Sequence, residues 1–289
     1  MQKEYTEMYY AIVTGAVVMF GIQFWFSHLY EKENGNDLPA ALILTLLSSA
    51  IGAVFLLVLN GFSLQLTWFS LLTAAAAATN SMLCSFCTLK ALNKVNLSLY
   101  SLFSMLGGMT LPLLAGLLFY NDSLSFGLIL CVILIVTALI LTVNKENRKG
   151  GLIYFIGVFC FNGMSGVISK FFESAPFEKA SAAAYSVWVA ILSILISGCT
   201  LICIRKRVRR PNRKAVLSAL TGGTLNQIAN YILLIALAVL PVSAQYSFVT
   251  GGVIIISTLI SALSGQKPTR KELIGVAISF IGILALILL

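Results

Sequence analysis

The sequence predicts an all-α integral membrane protein with ten transmembrane helices, arranged as two inverted five-helix repeats. Two observations favour this fold: the chain contains ten apolar runs of spanning length, and its second half repeats the residue pattern of the first. Of its 289 residues, 59% are hydrophobic and only 10% are charged, whereas about 25% are charged in a typical soluble domain. A chain this apolar requires a bilayer as its solvent, and about 20 apolar residues cross the hydrocarbon core as a helix.

Short polar segments separate the apolar runs, so we expect one integral membrane domain without a soluble appendage. The first run is too long for the apolar core of a signal peptide and has no small-residue cleavage site, so we expect it to be retained. We place the first repeat at 1–145 and the second at 150–289. The ten predicted spans are 9–30, 39–59, 68–89, 96–119, 124–143, 152–172, 180–204, 215–239, 241–263 and 271–289.

The internal repeat is visible in an alignment of the chain with itself. Moving 221–288 back by 145 positions places it on 76–143 without a gap, and the beginnings of the halves align at an offset of 142. Each half has five spans, an odd number, so the second must enter the membrane from the opposite side. The aligned identities include Thr79 with Thr224, Ser98 with Ser243, Phe103 with Phe248, Gly107 with Gly252, Gly21 with Gly163, Ser27 with Ser169 and Glu31 with Glu173.

The basic residues predict the orientation. Of the 19 lysines and arginines, only Lys3, Lys170 and Lys179 fall on the side of the N-terminus, and the other sixteen fall on the opposite side. Because cytoplasmic loops are rich in basic residues, we expect both termini outside, in a multi-pass protein of the plasma (inner) membrane. The basic run 205–214 lies between two spans and has no interleaved aromatic residues, so it fits topogenic charge near anionic headgroups and not a nucleic-acid site.

Residues with metal or catalytic chemistry are scarce inside the predicted spans. All six cysteines lie in apolar runs, and Cys84 and Cys87 have neither a second pair nor a nearby histidine, so we interpret them as packing residues. The lone histidine, His28, is near a span end, where it is interpreted as an interfacial residue. Paired carboxylates, a metal-binding set or a serine–base pair at membrane depth are missing, so we expect no enzyme activity, no metal and no cofactor.

The end of the chain resembles a known transporter family. The segment 265–275, followed by Gly282, is similar to the closing motif of each repeat in the drug/metabolite transporter superfamily, in its ten-helix EamA-type branch. Ser243 and Ala244, after Leu240-Pro241, resemble that family's short turn between the third and fourth helices of a repeat. Gln266 stands where the family has Glu, and family members keep both termini in the cytoplasm. The resemblance implies a carrier of small metabolites such as amino acids, sugar conjugates or quaternary amines.

The acidic residues bear on the coupling mechanism. The small multidrug relatives in that superfamily exchange protons for cations through a membrane-embedded Glu. All ten acidic residues of this chain lie at span ends or in loops, which argues against that mechanism. Glu31 and Glu173 come nearest to the membrane interior, and we expect both at the interface.

Polar residues inside the apolar runs are the candidate substrate-binding residues, because polar groups facing lipid are costly. Asn226 and Asn230 are four residues apart and so share a helix face. Interhelical hydrogen bonding, worth about 0.6 kcal/mol each, is the alternative role. An aromatic cage for a quaternary amine would use Trp25, Tyr100, Tyr185, Trp188 and Tyr246. The candidates are Gln23, Trp25, Asn80, Tyr100, Asn162, Ser165, Asn226, Gln227, Asn230 and Tyr246.

These observations favour a secondary transporter that moves a small polar metabolite by alternating access. The metabolite would be neutral, zwitterionic or an amine, for example amino-acid-like. A flippase for lipids or lipid-linked headgroups, an exporter of small drugs or quaternary amines, and an assembly partner stay open as alternatives. We expect a monomer whose partners are the bilayer and a small-molecule substrate, with no nucleic acid.

Overall fold

The computed structural model describes residues 2–94, 97–119, 125–142, 152–204, 210–240, 242–264 and 269–288, and within these ranges the chain forms α-helices and no strands. This confirms the predicted all-α class. The helices are α1 Gln2–Asn34, α2 Leu38–Leu59, α3 Trp68–Leu92, α4 Leu97–Phe119, α5 Phe126–Thr142, α6 Leu152–Ser174, α7 Ala182–Cys203, α8 Arg213–Ala236, α9 Val242–Leu263 and α10 Arg270–Leu288.

Six of these helices are long and apolar enough to span a membrane, namely α1, α2, α3, α4, α6 and α7. The chain is therefore a membrane protein. Helices α5, α9 and α10 contain shorter apolar stretches at Ile129–Ala138, Phe248–Leu263 and Leu273–Gly282. Polar residues are frequent on α8, where Asn226, Gln227 and Asn230 lie within little more than one turn.

Four helices begin with a side-chain cap at matching places in the two halves. Asp37 caps α2 and Ser181 caps α7, while Thr67 caps α3 and Asn212 caps α8. Each side-chain oxygen accepts a hydrogen bond from the backbone N–H three residues later, which satisfies one of the free donors of a helix start. The two halves therefore begin their second and third helices with the same local structure.

The two halves are intertwined in the helix packing. α1 packs on α8 and α9, and α6 packs on α3 and α4; α2 packs on α8, and α7 packs on α3. Three further contacts join counterparts across the halves: α2 with α7, α4 with α9, and α5 with α10. Each helix of the first half corresponds to the helix numbered five higher in the second half. When every helix in these contacts is replaced by its counterpart, the same set of contacts results. The largest apolar core joins residues of α1, α3, α4, α6, α8 and α9.

Close helix approach occurs at matching glycines. A Cβ on Gly21 of α1 would collide with Ile256 of α9, and a Cβ on Gly163 of α6 would lie 2.8 Å from Leu111 of α4. Ile256 and Leu111 are themselves 145 positions apart. The α1–α9 and α6–α4 contacts are therefore built from residues that the sequence alignment makes equivalent.

Candidate functional site

A cavity of about 260 Å³ lies inside the helical bundle, lined by residues of α1, α2, α3, α4, α6, α7, α8 and α9 and by Leu237 just beyond α8. Of the 39 lining residues that the structure describes, 23 are polar: eleven serines, three threonines, three tyrosines and six asparagines or glutamines. No charged residue lines it within the described part of the chain. The cavity is thus a polar, uncharged space within an apolar bundle.

Nine of the ten predicted binding residues meet at this cavity. The exception is Trp25, which lies in a separate groove with His28, Lys32 and Leu263 and has its ring centroid 5.1 Å from that of Phe26. The nine residues that line the cavity are Gln23, Asn80, Tyr100, Asn162, Ser165, Asn226, Gln227, Asn230 and Tyr246.

Two of the cavity asparagines also join helices. Asn80 Nδ2 donates to the carbonyl oxygen of Phe161 at 2.8 Å, linking α3 to α6. Asn162 Nδ2 donates to the carbonyl oxygen of Ser104 at 2.6 Å, linking α6 to α4. Since both residues also line the cavity, interhelical bonding and a place at the site are compatible. The bonds fix the positions of these carboxamides.

The amides of α8 form a local group on the cavity side. Asn230 Nδ2 donates to the backbone carbonyl of Asn226 at 2.8 Å and to its Oδ1 at 3.1 Å, so the two side chains share a face as predicted. The stem of Gln227 packs where a Cβ on Gly52 would otherwise lie. Gly52 therefore lets α2 approach α8 closely at the cavity.

Hydroxyl groups on α2 and α7 complete the lining, and the sequence analysis did not nominate them. They include Thr45, Ser48 and Ser49 of α2, with Ser186 and Ser193 of α7. Thr45 and Ser49 are four residues apart, and Ser186 and Ser193 are seven apart, which are spacings of a shared helix face. That spacing is the sequence signal that could have identified them.

Three tyrosines contribute aromatic surface to the cavity. Tyr100 OH lies 3.1 Å from Thr88 Oγ1, and the Tyr100 ring packs edge-on with Phe24 at 5.1 Å between centroids. Tyr185 and Tyr246 also line the cavity. Trp188 does not, because its Nε1 donates to the backbone carbonyl of Gln65 at an exposed position. Of the aromatic cage considered above, only the tyrosines face the cavity.

Aromatic rings pack together at one end of the bundle, and we call it the aromatic end. It comprises Phe69 at the start of α3, Phe172 near the end of α6, Phe177 in the following loop and Tyr185 in α7. The rings of Phe172 and Tyr185 stack at 3.8 Å, and Phe69 lies 5.1 Å from Phe177. The backbone N–H of Ala180 donates to the hydroxyl oxygen of Ser70 on α3 at 2.9 Å. This bond holds the α6–α7 loop against α3.

Hydrogen bonds join the helices at the opposite end, and we call it the polar end. Tyr30 OH donates to the carbonyl oxygen of Ala40 at 2.8 Å. Asn93 Nδ2 donates to the buried Glu31 at 2.9 Å. Asn212 Nδ2 donates to Glu33, also on α1, at 2.7 Å. These bonds connect α1 to α2, to the end of α3 and to the start of α8.

The cysteines are free thiols, and only Cys84 lines the cavity. Cys87 packs at the α3–α6 contact, where it lies 2.5 Å from the position of a Cβ on Gly157. Among the described residues, no group of three or more histidine, cysteine or acidic side chains is arranged to hold a metal ion.

Comparison with known proteins identifies a fold. No protein-family model matches the chain, and no curated protein matches it. Twenty-eight chains of solved structures match. One of these chains comes from a crystal structure described only as that of a protein. It matches with a TM-score of 0.68 and 15% sequence identity, and 96% of each chain is covered. At this identity the likeness shows the fold alone. Fold and site together define an all-helical membrane protein with an internal polar cavity.

Proposed function

We propose that the protein is a secondary transporter that moves a small polar metabolite across the membrane by alternating access. The polar cavity is the observation that carries this proposal. Polar side chains are costly to bury in a low-dielectric interior, and 23 polar residues of the described part of the chain surround one space here. A binding site for water and a polar solute accounts for them, whereas a bundle with a purely structural role would be more stable with an apolar interior.

Two inverted five-helix repeats would supply the two access states, and the packing supports this arrangement. The helix contacts are reproduced when the halves are exchanged. Thr250 Oγ1 donates to the carbonyl oxygen of Met105 at 3.1 Å, and the two residues are 145 positions apart. Both line the cavity. The cavity is therefore located where equivalent positions of the two halves meet, as in transporters with inverted repeats.

Charge supports one orientation for this transporter. Lys32, Lys90, Lys94, Arg213 and Lys214 lie at or beside the polar end. The positive-inside rule would place this end in the cytoplasm, with both termini outside in the plasma (inner) membrane. The likeness to the EamA-type branch belongs to the same proposal and is supported by the helix count.

An exporter of small quaternary amines is the second candidate, because aromatic rings line part of the cavity. Tyr100, Tyr246 and Phe24 are among the lining residues, and tyrosine faces attract organic cations. The two functions differ in the solutes that should be transported, so one solute panel separates them.

The test is transport by the full-length protein in liposomes across a panel of sugars, polyols, nucleosides, amino acids and quaternary amines. We expect saturable uptake or exchange of at least one small polar solute. A panel without any saturable flux above protein-free liposomes would contradict the proposal.

Replacing the α8 amides tests the place of the site. Asn226→Ala combined with Asn230→Ala should lower kcat/KM for that solute by about tenfold or more, because two hydrogen-bonding groups that line the cavity are lost. Thr137→Ala is the matched control, since Thr137 is exposed on α5 and bonds only its own helix in the described contacts. Equal transport by the double variant and the control would show that the α8 amides are not part of the site.

A further inference from the structure

The geometry points to a substrate without formal charge: we propose that the cavity selects a neutral solute of monosaccharide or nucleoside size, rich in hydroxyl or amide groups. This inference rests on the proposed transport function and narrows it. It is based on the lining of the cavity, which is polar but uncharged in the described part of the chain. Such a lining can bind a neutral polar solute without leaving a charge unpaired.

A carboxylate or phosphate on the substrate would find no positive partner. No lysine, arginine or histidine lines the cavity within the described ranges. The lining residues of α1, α2, α3 and α6 all lie more than one turn inside uninterrupted helices. Their backbone N–H groups are therefore used within the helix, and these helices offer no free N-terminus of the kind that broken helices aim at anionic substrates.

An amine on the substrate would find no carboxylate. Glu31 and Glu173 are the acidic residues nearest the membrane interior in the sequence, and neither lines the cavity. Glu31 accepts a hydrogen bond from Asn93 at the polar end, and the backbone carbonyl of Glu173 accepts one from Lys179 at the aromatic end. Burying an unpaired ammonium in an uncharged site is unfavourable.

The aromatic rings do not form a free cage that would replace a carboxylate. Tyr185 is stacked on Phe172 at 3.8 Å between centroids, and Tyr100 packs edge-on with Phe24 at 5.1 Å. Neither tryptophan considered for a cage lines the cavity. The rings of Tyr100 and Tyr185 are thus partly covered by other rings, and the ring surface that faces the cavity suits the flat apolar face of a sugar or a nucleobase.

The groups that do line the cavity are those that recognise neutral polar solutes. Serine and threonine hydroxyls and tyrosine OH groups act as both donors and acceptors, and each carboxamide offers two donors and a carbonyl acceptor. A solute with several hydroxyl or amide groups satisfies such a lining, while an analogue lacking them leaves it unpaired. The volume of about 260 Å³ is near the lower limit of small-molecule sites, about 300–1,000 Å³, which suits a monosaccharide or nucleoside better than lipid-sized cargo.

The experiment compares solutes of one size that differ in charge, using the full-length protein in liposomes. One series is a hexose, its 2-amino derivative and its carboxylic acid; the other is a nucleoside and its monophosphate. Amino acids and a choline-type amine complete the panel. We expect kcat/KM for at least one neutral member to exceed that of its charged analogues by about 100-fold or more, because an unpaired charge would be buried.

Cys84 gives a second readout that needs no variant, since it lines the cavity. The transported neutral solute should slow its alkylation by a small thiol reagent, measured by site-resolved mass spectrometry. Alkylation of Cys199, exposed near the end of α7, is the internal control and should be unchanged.

The outcomes separate this inference from the proposed function. Saturable transport of a charged analogue with comparable kcat/KM would overturn the inference and leave the transporter intact. Transport of a neutral solute that leaves Cys84 alkylation unchanged would show that the solute binds elsewhere, which also overturns it. Failure of every solute class to move would overturn the transport proposal itself.

Discussion

The two ends of the bundle are held together by different contacts at equivalent positions. Phe172 at the aromatic end and Tyr30 at the polar end are 142 positions apart, and both are almost fully buried. Phe172 stacks on Tyr185, whereas Tyr30 donates its hydroxyl proton to the carbonyl oxygen of Ala40. The halves therefore share their pattern of helix packing, while the contacts at the two ends differ.

This difference matters for the proposed alternating access, in which the two ends would open in turn. Opening the aromatic end would expose stacked rings, whose stabilisation is non-directional and grows with the buried apolar area. Opening the polar end would break hydrogen bonds, which depend on geometry. We therefore expect the two closures to respond differently to side-chain truncation and to removal of a single polar atom.

Truncating the aromatic end should give the largest loss of stability. Phe172→Ala removes a buried ring that stacks on Tyr185 and lies beside Phe69, and we expect the free energy of unfolding to fall by about 3–5 kcal/mol. Unfolding of the purified protein in detergent measures this. Phe171→Ala is the matched control, because that neighbouring ring is 48% exposed and its loss should cost much less. Equal losses would show that the stack does not close this end.

Adding one methyl group where helices of the two halves pack closely should lower the free energy of unfolding nearly as much as Phe172→Ala. The loss should differ between the two halves. A Cβ on Gly107 would collide with the backbone of Phe159, while a Cβ on Gly252 would lie 2.7 Å from a side-chain atom of Val17. A side chain can move more easily than a backbone. We expect Gly107→Ala to lower the free energy of unfolding by about 3 kcal/mol, and Gly252→Ala by about 1 kcal/mol.

The control for these glycines is Gly15→Ala, since nothing lies within 4 Å of a Cβ there. It should leave stability unchanged or slightly raised, because alanine favours the helix over glycine. If Gly107→Ala unfolded like Gly15→Ala, the close α4–α6 contact described above would be wrong.

Removing one oxygen at the polar end should have the smallest effect. Tyr30→Phe leaves the ring in place but deprives the carbonyl of Ala40 of its donor and Asn34 of its acceptor. We expect a loss of about 1 kcal/mol, seen in the same unfolding measurement. Tyr154→Phe, on the half-buried ring beside Phe86, is the control. A loss as large as that of Phe172→Ala would mean that the two ends do not differ as proposed.

Much of the fold could be predicted from the sequence because apolar runs specify helices directly. The run predicted at 39–59 corresponds to Leu38–Leu59, and that at 68–89 to Trp68–Leu92. The first helix is longer than its apolar run and extends from Gln2 to Asn34, because polar residues at its ends continue the helix. The prediction that the ten helices form spans in two opposed sets stays a prediction.

The composition of the cavity was predictable only in part. Gln23 lines it, but Trp25 is two residues further along α1, about 200° around the helix, so the two side chains cannot share a face. The hydroxyls of α2 and α7 gave only the weak signal of their spacing, because short hydroxyl side chains can bond their own helix backbone. Thr45 donates to Ala41 and Ser186 to Ala182 in this way. Amides are larger and rarer inside apolar runs, which is why the sequence analysis selected them.

The most direct test of the account is the sidedness of the segment that joins the two halves. An epitope tag inserted after residue 147 should be accessible from the side opposite to an N-terminal tag on the same functional protein, since five helices separate them. Labelling of intact cells and of inside-out vesicles measures this. Accessibility of both tags from the same side would contradict two oppositely oriented halves enclosing a shared cavity.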